Sequence, residues 1–250
     1  CKYNAAFKNL HIAASGNYNL FTTTNATYDP TLHVEDCTVD AAYNVVYDSH
    51  NTQNFKSVYF GNSIVKMTVA NKPFYSTKAK DAHTQQLIRL DNNVFYAETP
   101  LQNYLINCGD RSQAFQTTRL QVEVTNNTIY NIYQPNIMIR AYVLAGLTVT
   151  KNVGYYTGVT AKNYLTGVYD TAGFTADKAE VTYNYLYTAP VSDTTFWSAK
   201  HPGSYTPANN QMGDGVEAPF SSMDAAKGYF PVDASVVKTG AGATYGTKAW

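Results

Sequence analysis

The residues with the charge and reach for chemistry fall at matching places in a recurring pattern. Asp48, Ser76, Asn107 and Arg140 stand four positions into successive units, with His50, Lys78, Lys80, Asp110 and Arg111 close behind them. Such a set could remove a proton beside a carboxylate. That step needs a cation to neutralise the carboxylate, and Arg140, Arg111 or Lys78 carries the charge for it. It also needs a base within about 3 Å of the proton, a role open to His50, Lys80 or a neighbouring lysine. Asp48, Asn107, Asp110 and Arg111 would then hold the rest of the substrate. Hydrolysis would instead need two carboxylates about 5–9.5 Å apart. Asp48 and Asp110 are the obvious pair for that, and two units separate them. The plain alternative is that all of these are solvated strand ends making routine ion pairs.

The element that must position them is visible in Leu120–Tyr142, LQVEVTNNTIYNIYQPNIMIRAY. Val122 and Val124 alternate with Glu123, the period-2 signature of a half-buried strand. Asn126-Asn127 breaks the run, Thr128-Ile129-Tyr130 resumes it, and Asn136–Arg140 supplies a third strand. The unit recurs. Leu10-His11-Ile12, Leu32-His33-Val34, Val58-Tyr59-Phe60, Ile88-Arg89-Leu90, Val122-Glu123-Val124, Leu147-Thr148-Val149 and Ala179-Glu180-Val181 form one column, whose sixth place reads Ser15, Cys37, Ser63, Asn93, Asn127, Asn152, Asn184. A second column starts at Asn19, Asn44, Lys72, Asn103, Asn136 and Asn163 and interleaves with the first.

One strand–bend–strand–link–strand unit cannot bury its own faces, so neighbouring copies must stack. The spacing varies, with 22 residues from Leu10 to Leu32 and 34 from Ile88 to Val122. That excludes repeats of fixed length and fits a coil with constant strands and variable corner loops. Asparagines stacked at one corner would bond to the copies above and below. The expectation is an all-β parallel β-helix of about six to seven coils over residues 1–190. Residues 191–250, where the pattern stops, are expected to form an irregular C-terminal cap over the open end. Hairpin dipeptides between alternating strands, which a sandwich or barrel would show, are nearly absent.

The outward positions of the first column form a rival constellation: His33, Glu35, Tyr59, Arg89, Asp91 and Glu123. Arg89 and Glu123 would sit on adjacent rungs, with Glu35 and Asp91 two rungs apart. Ladders like this are most often the soluble face of a sheet. The tyrosines that recur at strand ends, such as Tyr104, Tyr130 and Tyr155, read mainly as core; some could be platforms for a sugar's apolar face.

Formal charge is zero and charged residues make up 14% of the chain, against about 25% in ordinary globular proteins. That balance argues against nucleic acid, whose phosphates need clustered Lys and Arg. No apolar run approaches the roughly 18 residues of a membrane-spanning helix, and no signal peptide is present. The three cysteines, Cys1, Cys37 and Cys108, cannot pair completely and lack zinc spacing. Cys1 has the place of a lipid anchor, but a strand begins at Phe7 without the polar tether such anchors carry. Because the repeat is already running there, earlier coils or another domain are expected upstream. The aspartates are scattered, so no metal site is expected.

With these columns in place, the chain resembles the pectate lyase-like superfamily of right-handed, single-stranded parallel β-helices, and within it the secreted or outer-surface modules of glycan-degrading Bacteroidetes. VEVTNNTIYNIY, IRLDNNVFYAE, LTVTKNVGYY and the closing GYFPVDASVVKTGAGATYGTKAW carry the resemblance, which spans nearly the whole chain. It implies that the asparagine corner lies between a coil's second and third strands and that the Asn19/Asn44/Asn103/Asn136/Asn163 column starts the first. It also implies a polysaccharide groove along the outer face of that first strand's sheet. The family's calcium-binding aspartate cluster and its Arg-x-Pro-x-x-Arg stretch are missing, as is the paired aspartate signature of its hydrolases. Calcium is therefore implied by analogy alone. The resemblance implies a secreted or cell-surface monomer that binds, and could cleave, acidic polysaccharides by a lyase route. The alternative is a non-catalytic structural or adhesin-like module presenting a long face to glycan or protein.

Overall fold

The computed structural model describes residues 4–14, 16, 18–23, 30–48, 55–77, 86–108, 120–134, 137–141, 144–156, 164–168, 175–187, 196–197, 205–213 and 218–244. They form a parallel β-solenoid with three sheets along its sides. The first sheet stacks Ala5–Lys8, Thr31–Glu35, Ser57–Gly61, Gln86–Asp91, Leu120–Thr125, Leu144–Thr150 and Ala179–Thr182. The second stacks His11–Ala13, Thr38–Ala41, Ile64–Met67, Val94–Gln102, Thr128–Tyr133, Val153–Tyr155, Tyr185–Tyr187 and Gln211–Met212. The third stacks Phe21–Thr23, Val46–Asp48, Tyr75–Thr77, Ile106–Cys108, Ile137–Ala141 and Tyr164–Val168. Its six strands are separated by about five turns, slightly fewer than the columns suggested. Helix is limited to one 3-10 turn, Ala176–Lys178, among the described residues.

Alternation explains the first sheet. Leu120, Val122 and Val124 are buried while Gln121, Glu123 and Thr125 are half-exposed. In register with them, Ile88 and Leu90 on one side and Leu147 and Val149 on the other also point inward. Aromatic rings climb through the interior from Phe21 to Phe60, Phe74 and Phe95, with centroids 4.8–6.1 Å apart.

The two residues of each corner do different work. The first, at Asn9, Asp36, Asn62, Asn92, Asn126, Lys151, Tyr183 and Asn209, has φ between 49° and 59°, a left-handed conformation that Asn and Asp tolerate best. The second faces inward as the ladder. Asn127 Oδ1 accepts the Asn93 N–H at 2.9 Å, and the Asn127 N–H donates to Asn152 Oδ1 at 3.0 Å. Asn127 Nδ2 donates across to Leu90 O at 3.0 Å, as Asn152 does to Val124 O and Asn184 to Val149 O. Ser63 Oγ takes the same place for the Cys37 N–H.

Two features depart from the sequence reading. Leu32–Glu35 pairs with Ala5–Lys8, so Leu10, not Ser15, holds the ladder position of the first turn. Matching Leu-His-Ile to Leu-His-Val by identity displaced that turn by five residues; Ser15 lies outside the described residues. The ladder also runs on to Asn210, whose Oδ1 accepts both the Asn184 N–H and Nδ2. Residues 205–213 thus continue the coil beyond residue 190.

Residues 218–244 lie along the flank of the second sheet. Its outward row Tyr96–Tyr130–Tyr155–Tyr187 is in register, and with Ile64, Val94 and Val153 it makes an apolar strip that needs cover. Phe230 is fully buried and stacks on Tyr130 at 4.2 Å. The Gly242, Ala243 and Thr244 N–H groups then donate to Lys151 O, Thr128 Oγ1 and Asn92 Oδ1.

Candidate functional site

The third sheet positions the candidate site. Its inward residues Val46, Tyr75, Ile106 and Ile139 are buried, so the residue after each faces out. Tyr47, Ser76, Asn107, Arg140 and Gly167 form that outward row. Asp48 does not belong to it, because its strand partner is Thr77, which pairs with Cys108. The displacement is one residue. Counting back from Val46 opposite Tyr75 puts Asn44 opposite Pro73 and Tyr43 opposite Lys72. Aligning Asn44 with Lys72, as the polar column suggests, shifts everything after it by one.

Arg140 is held by its neighbours in the row. Its Nε and Nη2 donate to Asn107 Oδ1 at 2.9 and 2.6 Å, and its guanidinium lies 4.8 Å from the centre of the Tyr104 ring. Beside this pair opens a depression of about 350 Å³, near the lower end of the range of ligand sites. Tyr47, Ser76 and Asn107 line it from the strands; Asn19, Tyr43, Asn44, Asn71, Lys72, Pro73 and Tyr104 line it from the preceding corners. Lys72 Nζ donates to Tyr43 Oη at 2.7 Å and sits 4.0 Å from that ring's centre. Asn44 Nδ2 donates to Asn19 Oδ1 at 2.8 Å.

The chemistry of this lining is plain. It offers amides, phenols, a hydroxyl and the Lys72 ammonium, with the Arg140 guanidinium adjoining and no carboxylate among the described lining residues. It can bind an anion and a polyhydroxylated chain. Of the residues singled out by sequence, Ser76, Asn107 and Arg140 meet here. His50, Lys78, Asp110 and Arg111 lie outside the described residues, as does Lys80. Tyr43, Asn44 and Lys72 line the depression without having stood out in the sequence as site residues. The signal that could have found them is the interruption of the asparagine column by Lys72-Pro73.

The first sheet's outer face satisfies itself. His33, Tyr59, Arg89 and Glu123 are in register, with His33 stacked 4.5 Å from Tyr59 and Arg89 Nε 3.0 Å from Glu123. Lys8 lies 3.0 Å from Glu35, and that hydrogen bond holds the Glu35 carboxyl below the usual carboxylate range. Asp91 accepts from Thr125 and Asn126. These charges are matched by neighbours, as in a solvated face.

Calcium needs several convergent oxygens, and among the described residues no group of three or more His, Cys, Asp and Glu side chains converges. Nor is any described helix long and apolar enough to cross a membrane. The chain matches no protein-family model, no curated protein and no solved structure. The solenoid fold is compatible with carbohydrate binding or degradation, and the site rests on its own geometry.

Proposed function

We propose that the outer face of the third sheet binds an acidic polysaccharide, in the manner of a pectate lyase-like β-helix domain working outside the cell or on its surface as a monomer. The observation that carries this reading is the depression at Lys72 and Tyr104, which adjoins Arg140 and has no carboxylate among its described lining residues. A cation beside a row of hydrogen-bonding side chains suits a chain that alternates carboxylates and hydroxyls. Parallel strands about 4.8 Å apart present these groups as a track along which several sugar units can lie. Cleavage by a lyase route would need a base beside Arg140, the role assigned to His50, Lys80 or a neighbouring lysine.

Affinity electrophoresis in gels containing polygalacturonate, alginate or chondroitin sulfate tests the reading. Retardation by at least one of them is expected, weakening with added salt. Arg140→Ala and Lys72→Ala are each expected to weaken it about five- to tenfold. Migration unchanged in all three gels overturns the proposal. Ultraviolet absorbance of unsaturated product, followed on the retarding polymer, separates a lyase from a binding module.

A further inference from the structure

The corner between the first and second sheets breaks its own rule at two consecutive turns. Asn9, Asp36, Asn62, Asn92, Asn126 and Asn209 fill its left-handed position, but Lys151 and Tyr183 hold it between the last two. Tyrosine at φ 59° is an outlier, because a bulky side chain crowds the backbone there. Such strain clusters at ligand sites. Nothing inside the fold offsets it. Tyr183 is 43% exposed, and among the described residues its ring has no aromatic contact and its hydroxyl no hydrogen bond. Packing accounts for Tyr130, Tyr155 and Tyr187, which contact one another in the row beside the strap. Lys151 is exposed as well, and its ammonium has no carboxylate partner among the described residues. The Lys151 N–H donates to Thr182 O at 3.1 Å, so the two side chains leave the corner one rung, about 4.8 Å, apart.

We propose that Lys151 and Tyr183 form a second saccharide-binding site, one that takes a sugar bearing a carboxylate. The Tyr183 ring carries the apolar face of the sugar, and the Lys151 ammonium, one turn away, holds its carboxylate. Asn209, exposed on the turn beyond Tyr183, offers an amide to the ring hydroxyls. The one carboxylate on the adjoining strand, Glu180, accepts the Thr182 hydroxyl at 3.3 Å. A protein partner would be met by an apolar patch around the ring. Here the corner neighbours are Asn126, Lys151 and Asn209, and Thr150 and Thr182 end the flanking strands. That setting favours a polyol. The third sheet forms the remaining side of the solenoid, so this site lies away from the depression at Lys72. It stands on separate observations, and either site can fail alone.

Tyr183→Asn restores the residue this corner favours, so it separates strain from binding. It is expected to raise the melting temperature by about 2–4 °C. In gels of polygalacturonate, alginate or chondroitin sulfate it is expected to weaken retardation by the polymer that holds the wild-type protein about fivefold. Lys151→Asn is expected to weaken it by a similar factor and to reduce its dependence on salt. A more stable Tyr183→Asn with unchanged retardation overturns the site. So does unchanged retardation of Lys151→Asn, which decides the matter if Tyr183→Asn proves less stable than wild type. The third-sheet reading is scored apart: it stands if Lys72→Ala or Arg140→Ala weakens retardation, and falls if only the corner variants do. Absence of wild-type retardation by all three polymers overturns both.

Discussion

Asn127 shows how much one side chain does in this molecule. Its amide satisfies groups on three turns: the Asn93 N–H and Nδ2, Leu90 O, Thr125 O and Asn152 Oδ1. All but the Thr125 contact are buried, so Asn127→Ala leaves several polar groups without partners. A loss of about 3 kcal/mol is expected, read as a shift in the urea midpoint with unchanged slope; a loss under about 1 kcal/mol would show that the ladder is not holding the turns. Arg89→Ala, by contrast, removes an ion pair with Arg89 half-exposed, and its cost is expected to stay below about 1 kcal/mol. Residue type made the ladder legible, because Asn recurs where the bend requires it. Residue type also misled. Matching Asn44 to Lys72 by polarity places Asp48, not Tyr47, in the outward row. Backbone pairing decides that register, and pairing leaves no mark on a single polar column.

At the scale of elements, the C-terminal strap was the least legible part. Residues 218–244 contain short apolar anchors in polar chain, and nothing in their spacing says that they cover the second sheet's flank instead of the open end. The need for cover is visible only once Tyr96, Tyr130 and Tyr155 are known to share a row. Gly228 is what lets the strap seat. Its φ is +63°, and a Cβ there would stand 2.7 Å from both Ile64 and the Tyr96 ring. Gly228→Val is expected to cost about 2–3 kcal/mol and to expose residues 218–244 to limited proteolysis while the coils stay resistant. A strap as resistant as wild type would show that its seat tolerates a side chain. Beneath it, burial pushes the Tyr96 phenol up to about 12, helped by the negative charge of Asp40, Glu98 and Asp224. In the unfolded chain the phenol ionises near about 10. Below that pH both states are neutral and this stabilisation is complete. Between the two values the unfolded chain releases a proton that the folded chain keeps, so stability falls as pH rises. Urea unfolding across that window should lose stability less steeply in Tyr96→Phe; an equal slope would remove Tyr96 as the source. Tyr155 shifts the same way through burial, so the slope is reduced, not abolished.

For the whole molecule, stability is a sum over turns and the contacts between them, and the ends decide whether that sum closes. The repeat fades in sequence at about residue 190, yet residues 205–213 are structurally continuous with the coils. Asn184 bonds to Asn210 through both its N–H and its Nδ2, Tyr205 Oη accepts the Val181 N–H at 2.6 Å, and Gln211–Met212 pairs with Tyr185–Leu186. Ending the chain at residue 190 would strip the partners from Asn184 and Val181, open the edge of Tyr185–Tyr187 and uncover the aromatic row beneath the strap. An open parallel edge beside an apolar face recruits other chains. Such a chain is expected to lose on the order of 5 kcal/mol, comparable to the net stability of many domains, and to scatter light as oligomers. A chain ending at residue 214 keeps Asn210 and Gln211 and loses only the strap. It should melt between the two and associate less, because its ladder is closed while its flank is bare. If the chain ending at 190 stays monomeric with the wild-type melting temperature, the last coil and the strap are appendages, and the solenoid's stability resides in its middle turns alone.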